Sequence, residues 1–225
     1  IGDKAELIKA IKDSGIVGLG GAGFPTYAKF TTDKKIETLI INGAECEPYI
    51  TSDSITMTKD AEDIVFAIQT LLKYFQIDKA IIGIENNKPN AISAIKTAIG
   101  DNAQISVKVL PSVYPQGGEK VLIYHTTGKV VPKGKLPIDV GCVVINSTTT
   151  AFIGKYIKTG MPLVEKCVTV DGSAVKEPKN VIVPIGTPLK DVFEFAGGFK
   201  SEPKKVLYGG PMMGISVPDM SYPVI

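Results

Sequence analysis

Short apolar runs alternate with segments of helical periodicity along most of this chain, and that alternation limits the folds open to it. ETLIIN (37–42), KAIIGIE (79–85), ISVKVL (105–110) and VGCVVIN (140–146) are too short for buried helices and read as strands. Between them, AEDIVFAIQTLLKYFQ (61–76) repeats its apolar side chains every 3.6 residues. Lys88-Pro89 opens a second helix through AISAIKTAIG (91–100), with Pro89 in its first turn. A third helix follows the loop PSVYPQGGEK (111–120) and runs to Gly128; a fourth begins after Ser147-Thr148-Thr149-Thr150 and runs to about Lys158. An earlier helix is expected over KAELIKAIKD (4–13), stopped by Ser14-Gly15. Strands that alternate with helices imply an α/β layered domain around a mostly parallel sheet. In such sheets ligands bind at the carboxyl ends of the strands. The loop GAECEPYITSD (43–53) and the Gly117 loop both follow strands and are expected on that edge.

The pattern changes after Gly160. Two β runs, 166–170 and 180–185, surround a turn-rich middle; a helix follows from Pro188, then KVLYGGP as a further strand. This ββαβ order predicts a small α+β unit of the β-grasp type. The expected domains are therefore 1–160 and 161–225. A chain of 225 residues suits one large domain plus a small one. It begins at Ile1 without a methionine and reads as a piece of something longer.

Composition removes several function classes. The net charge of +2 argues against a nucleic-acid binder. No arginine occurs, so an anion site must use lysine, backbone N–H groups or hydroxyls. Cys46, Cys142 and Cys167 are far apart, with no CxxC pair, which disfavours a disulfide framework and excludes a local zinc or iron–sulfur motif. His125 is the only histidine, a poor basis for a metal site or a Ser-His-Asp triad. No segment offers the roughly 20 apolar residues that span a bilayer, and no signal peptide is recognisable.

Four loops carry candidate chemistry. GLGGAGFPTYAKF (18–30) concentrates glycines at 18, 20, 21 and 23. Such a loop is either a structural turn or a cradle that lets backbone approach a flat or phosphorylated ligand. A helix precedes it rather than a strand, so it is not the usual dinucleotide fingerprint. INGAECEPY (41–49) is either a solvated acidic loop or a set of hydrogen-bonding groups, with Cys46 as a small packing residue. Gly117-Gly118-Glu119 places a carboxylate in a helix's first turn. The hydroxyls after Asn146 either cap a helix or mark an anion site at its N-terminus.

Together and in this order, GLGGAGFPTYAKF, INGAECEPYITSD, YPQGGEK and GGPMMG resemble the RnfC family, subunits of the Rnf electron transport complex. The match runs from about Ile11 to the end. GAGFPT is similar to the flavin loop of the NADH-binding flavoprotein subunit of respiratory complex I. The resemblance implies a Rossmann-like, mostly parallel sheet that binds FMN and NADH, followed by a soluble-ligand-binding β-grasp (SLBB) domain. It also implies two 4Fe-4S clusters and a lipoyl-like domain outside this chain. The implied partners are other Rnf subunits and ferredoxin or a second iron–sulfur subunit, at the cytoplasmic face of the bacterial plasma membrane. The implied activity is electron transfer between NAD(H), FMN and those clusters.

The resemblance also implies site residues. Gly18, Gly20, Gly21, Gly23 and Lys29 match the FMN loop, and Phe24 an aromatic that stacks on the nucleotide. Asn42 matches a flavin-contacting asparagine, and Glu45 and Glu47 an acidic loop near flavin and nicotinamide. Gly118 and Glu119 match the Gly-Glu loop, and Asn146 with Thr149 the asparagine and threonine that help hold FMN. Three positions depart from the complex I pattern: Leu19 replaces an arginine, Ala44 an aspartate, and the Gly117-Gly118-Glu119 loop lacks one carboxylate. Two alternatives stay open: a cobalamin reductase-like flavoprotein of propanediol utilisation, which shares the motifs, and a non-catalytic ligand-binding or scaffolding module with a decayed flavin site.

Overall fold

The computed structural model describes residues 1–225, which divide into two compact units. The first comprises residues 1–46 and 53–163, the second residues 47–52 and 164–225. The chain thus passes into the second unit for six residues midway through the acidic loop, an excursion that hydropathy does not signal.

In the first unit, strands β1 (Thr38–Gly43), β2 (Lys79–Glu85), β3 (Ile105–Leu110) and β4 (Cys142–Asn146) form a wholly parallel sheet in the order β3-β2-β1-β4. The chain builds outward from β1 through β2 to β3, then returns to lay β4 on the other side of β1. The direction of winding therefore reverses between β1 and β4, and in open α/β sheets ligands bind beyond the strands' carboxyl ends at such a point. The register sets Leu39 beside Val143, Ile40 beside Val144, Ile41 beside Ile145 and Asn42 beside Asn146.

Alternation along the strands splits the core in two. Leu39, Ile41, Ile82, Ile84, Val143 and Ile145 pack with Leu7 and Ile11 of α1 (Lys4–Asp13), with α3 (Ala61–Phe75) and α4 (Pro89–Ile99), and with α6 (Ser147–Thr159). Ile40, Cys142 and Val144 face the other way, onto Leu122 and Ile123 of α5 (Glu119–Thr127). Both faces are covered, which explains the near-continuous apolar runs. A helix also lies where none is expected, α2 (Ser52–Lys59), as does a 3-10 turn over Thr26–Lys29. The α2 sequence SDSITMTK has little amphipathic character and buries only Thr56 and Met57. No helix is long and apolar enough to cross a membrane.

The second unit holds two antiparallel pairs: β5 (Glu165–Val170) with β6 (Lys179–Pro184), and β7 (Val206–Tyr208) with β8 (Ile215–Val217). Helix α7 (Leu189–Phe195) joins Val170, Val181, Val183 and Val217 in a small core. The last strand of the expected ββαβ order is thus half of a separate hairpin. Thr51 is tied into this unit, donating its amide to Thr169 Oγ1 (3.0 Å) and accepting from Asn180 Nδ2 (2.8 Å).

Helices α3 and α6 cross at Gly154, where an added Cβ would stand 2.2 Å from the Asp63 carbonyl oxygen. Alanine normally improves a helix interior by about 1 kcal/mol over glycine. Here the backbones would have to part, so Gly154→Ala is expected to cost about 1–3 kcal/mol net, as overpacking does. Urea unfolding measures this, and a stabilised variant would contradict the close crossing.

Candidate functional site

The site is built where the winding reverses. Asn42 and Asn146 are paired residues on adjacent strands, each near its strand's carboxyl end. Asn42 Nδ2 donates to the Gly117 carbonyl (2.8 Å), and its Oδ1 accepts from the Ala44 amide (3.2 Å). The loop after β3 therefore docks on the loop after β1. The fit is tight: a Cβ on Gly117 would lie 2.3 Å from the Ala44 carbonyl oxygen. The Gly117 amide also reaches Cys46 Sγ at 3.4 Å, so Cys46 packs into this junction.

Asn146 caps α6. Its extended backbone and side chain suit that role, with Oδ1 accepting from the Thr149 amide at 3.0 Å. Thr149 Oγ1 in turn accepts from the Leu19 amide at 2.9 Å, which joins the glycine loop to α6. A Cβ at Gly20 would sit 3.0 Å from Asn146 Nδ2, so the loop lies directly on that amide. Gly21 and Gly23 adopt φ of +102° and +59°, backbone that side chains resist. Gly18 closes the loop by exchanging hydrogen bonds with Phe24 and Gly23. The exposed amides of Gly20, Gly21 and Ala22 find no acceptor within the chain. Beside Asn146, the fully buried Ser147 hydroxyl has no partner either.

Lys29 supplies the cationic end. Its Nζ donates to the Val144 carbonyl (2.7 Å) and to Glu119 Oε1 (3.0 Å), and lies 6.0 Å from the centre of the Phe24 ring. Glu119 is the first residue of α5, and Gly118 is its cap. Phe24 is half exposed.

The two glutamates of the acidic loop separate. Glu45 stays in the first unit, where its carboxylate accepts from the amides of Asp53 (2.7 Å) and Ser54 (3.2 Å), with Lys88 Nζ at 3.7 Å. Glu47 belongs to the second unit, where its Oε1 accepts from the amides of Met212 (2.6 Å) and Met213 (3.2 Å). Of the thirteen residues named from the sequence, Glu47 is the one the first unit does not contain.

One residue of the site is absent from that set. Asp53, in α2, accepts from Asn146 Nδ2 (2.7 Å) and Thr148 Oγ1 (2.5 Å). Burial, then the negative charge of Glu45, pushes its carboxyl up to about 7, against relief from Thr148, Asn146 and Lys88. Burial also raises Glu85, at the end of β2, against relief from Lys88. Asp53 ends the quoted motif GAECEPYITSD, but nothing local marks it as reaching a helix 93 residues away.

A carboxyl that holds its proton more tightly when folded favours the fold at low pH; that contribution fades as pH rises from about 4 through 7. Asp53→Asn resembles the protonated form. Its melting temperature is expected to rise relative to the native chain between about pH 5 and pH 8. Thermal melts across that range test this; an unchanging difference would count against the shift.

The family model of the Nuo51 FMN-binding domain matches residues 11–155, and that of the SLBB domain matches residues 167–216. The chain is 46% identical over 222 residues to the C subunit of the proton-translocating ferredoxin:NAD(+) oxidoreductase complex of Clostridium ljungdahlii, covering 98% of this chain and 48% of that protein. It is 45% identical to the Na(+)-translocating counterpart of Acetobacterium woodii, covering 95% and 49%. It is 42% identical to the C subunit of the ion-translocating oxidoreductase complex of Pseudomonas aeruginosa, covering 97% and 28%. The chain thus spans about half the length, or less, of these curated relatives. Among solved structures, the NAD+-reducing NiFe-hydrogenase in its H2-reduced and air-oxidised states matches with TM-scores of 0.81 and 0.82. Each covers 99% of this chain and 44% of that one; at 22% identity this speaks to fold alone.

Proposed function

The chain belongs to the Nuo51 FMN-binding domain family, and on that premise we propose that its first unit holds FMN in the crevice between β1 and β4. The observation that carries the proposal is a set of three contacts there: Leu19 on Thr149 and Gly20 on Asn146, which seat the glycine loop on α6, and Asn42 on Gly117, which joins the loops after β1 and β3. The residues present fit the group. The amides with no acceptor at Gly20 to Ala22 and the unpartnered Ser147 hydroxyl offer donors to an anionic, hydrogen-bonding ligand, on a loop where a Cβ at Gly20 would crowd the Asn146 amide.

When bound, FMN supplies the hydride and single-electron chemistry that no side chain here can perform. The chain's own work is placement. Gly18, Gly20, Gly21 and Gly23 admit the cofactor to the backbone, and Asn42, Asn146 and Thr149 orient it. Lys29 provides positive charge in a chain without arginine, and Phe24 offers an aromatic face to the nicotinamide nucleotide. Gly118 and Glu119 set the opposite wall, where Glu119 tempers Lys29. Glu45, held by two amides and Lys88, keeps a fixed negative charge behind the loop. The whole protein passes electrons between NAD(H) and 4Fe-4S clusters that lie outside this chain. Its setting is an ion-translocating ferredoxin:NAD oxidoreductase complex, at the cytoplasmic face of the membrane. The likeness to the C subunits of such complexes over nearly the whole chain favours that setting over the cobalamin reductase reading.

Anaerobic titration tests the proposal. Flavin fluorescence is expected to quench on adding the chain, and NADH to bleach the bound flavin; no quenching at high protein concentration would remove the reading's support. Gly20→Ala, which drives a methyl against the Asn146 amide, is expected to weaken FMN binding by about tenfold or more while the melting temperature falls only a few degrees. Undiminished affinity would show that the loop is not the cradle.

A further inference from the structure

Asn146 does two things with one amide. Its Oδ1 caps α6 through the Thr149 amide, and its Nδ2 donates to Asp53 Oδ2. The two ends of a carboxamide are nearly equal in shape, so its orientation is fixed by its partners. With an Asp53 oxygen accepting on one side and the Thr149 amide donating on the other, the amide nitrogen faces α2 and the oxygen faces the helix. Thr148 Oγ1 donates to the other Asp53 oxygen and steadies the carboxylate from the same helix turn.

We infer that Asp53 is a positioning residue of the flavin site, holding the Asn146 amide in the single orientation that caps α6 and supports the glycine loop. The inference rests on the flavin reading given above. The contacts run without a gap from Asp53 to Asn146, from Asn146 to Thr149, and from Thr149 to the Leu19 amide. Gly20 lies against the same Asn146 nitrogen that Asp53 engages. A residue of α2, in none of the loops that form the crevice wall, thus sets the geometry of the loop that admits the cofactor. A part-buried carboxylate with Glu45 close by is a costly way to brace a helix that an asparagine already caps. That expense is accounted for if the orientation of the Asn146 amide matters to what binds on it.

The test is a double-mutant cycle on the 225-residue chain, reading the Kd for FMN by fluorescence quenching. Asp53→Ala is expected to raise Kd by about tenfold or more, and Asp53→Asn, whose oxygen still accepts from Asn146, to stay within about threefold of native. On an Asn146→Ala background, Asp53→Ala should change Kd by less than about twofold, because its route to the cofactor is gone. A merely structural role would make the two penalties additive, and additivity overturns the inference. If Asp53→Ala melts below the assay temperature, Asp53→Ser completes the same cycle. Independently of flavin, the side-chain NH2 resonances of Asn146 and the Thr149 amide should shift in the cofactor-free spectrum of Asp53→Ala and move little in Asp53→Asn. Unchanged resonances also overturn it. If the native chain takes up no FMN, the cofactor reading itself fails. Native uptake that Asp53→Ala leaves intact overturns only the positioning role.

Discussion

The pairing of β4 with β1 is the contact on which the rest of the first unit depends. It sets Asn146 beside Asn42 at the point where neighbouring connections leave in opposite directions, the place where open α/β sheets bind their ligands. Its register is strongly specified. Val143 and Ile145 face α3 and α6, while Cys142 and Val144 face α5. A slip of one residue would exchange the two sets and turn Asn146 into the opposite layer. The apolar core therefore aims the polar site.

Around that pairing the polar groups form a connected set. Lys29 bridges a strand carbonyl and Glu119; Asn42 bridges two loops; Asn146 joins the glycine loop, α6 and Asp53. Charge is balanced locally, with Lys29 against Glu119 and Lys88 against Glu45. The exception is Asp53, whose carboxyl meets negative charge from Glu45 and is stabilised mainly by neutral donors. Satisfied networks of this kind select one arrangement of side chains, since breaking a member strands a buried group.

Much of the fold was legible in the sequence. The four strands of the parallel sheet, α1 and the helices α3 to α6 announce themselves through period and punctuation, because burial on both faces of a sheet, or one face of a helix, imposes those patterns. Helix α2 did not, since SDSITMTK buries two residues and presents no stripe. The pairing of β7 with β8 did not either: KVLYGGP reads as a strand, but its partner β8 is three residues long, below what alternation can signal. The glycine loop, Asn42, Glu45, Glu119 and Asn146 could be named from residue types, motif order and family likeness. Asp53 could not, because its role is a hydrogen bond to a residue far along the chain.

Local patterns along the chain settle the layered α/β class, the change of pattern after Gly160, the absence of arginine and the loops that carry chemistry. Periodicity, turn residues and composition are enough for those. Packing settles which loops meet, that Glu45 and Glu47 enter different units, and that Asp53 braces Asn146. It also settles that Lys29 answers to Glu119. Strand order and the fit of the layers govern these outcomes, because they bring together residues that no local pattern connects.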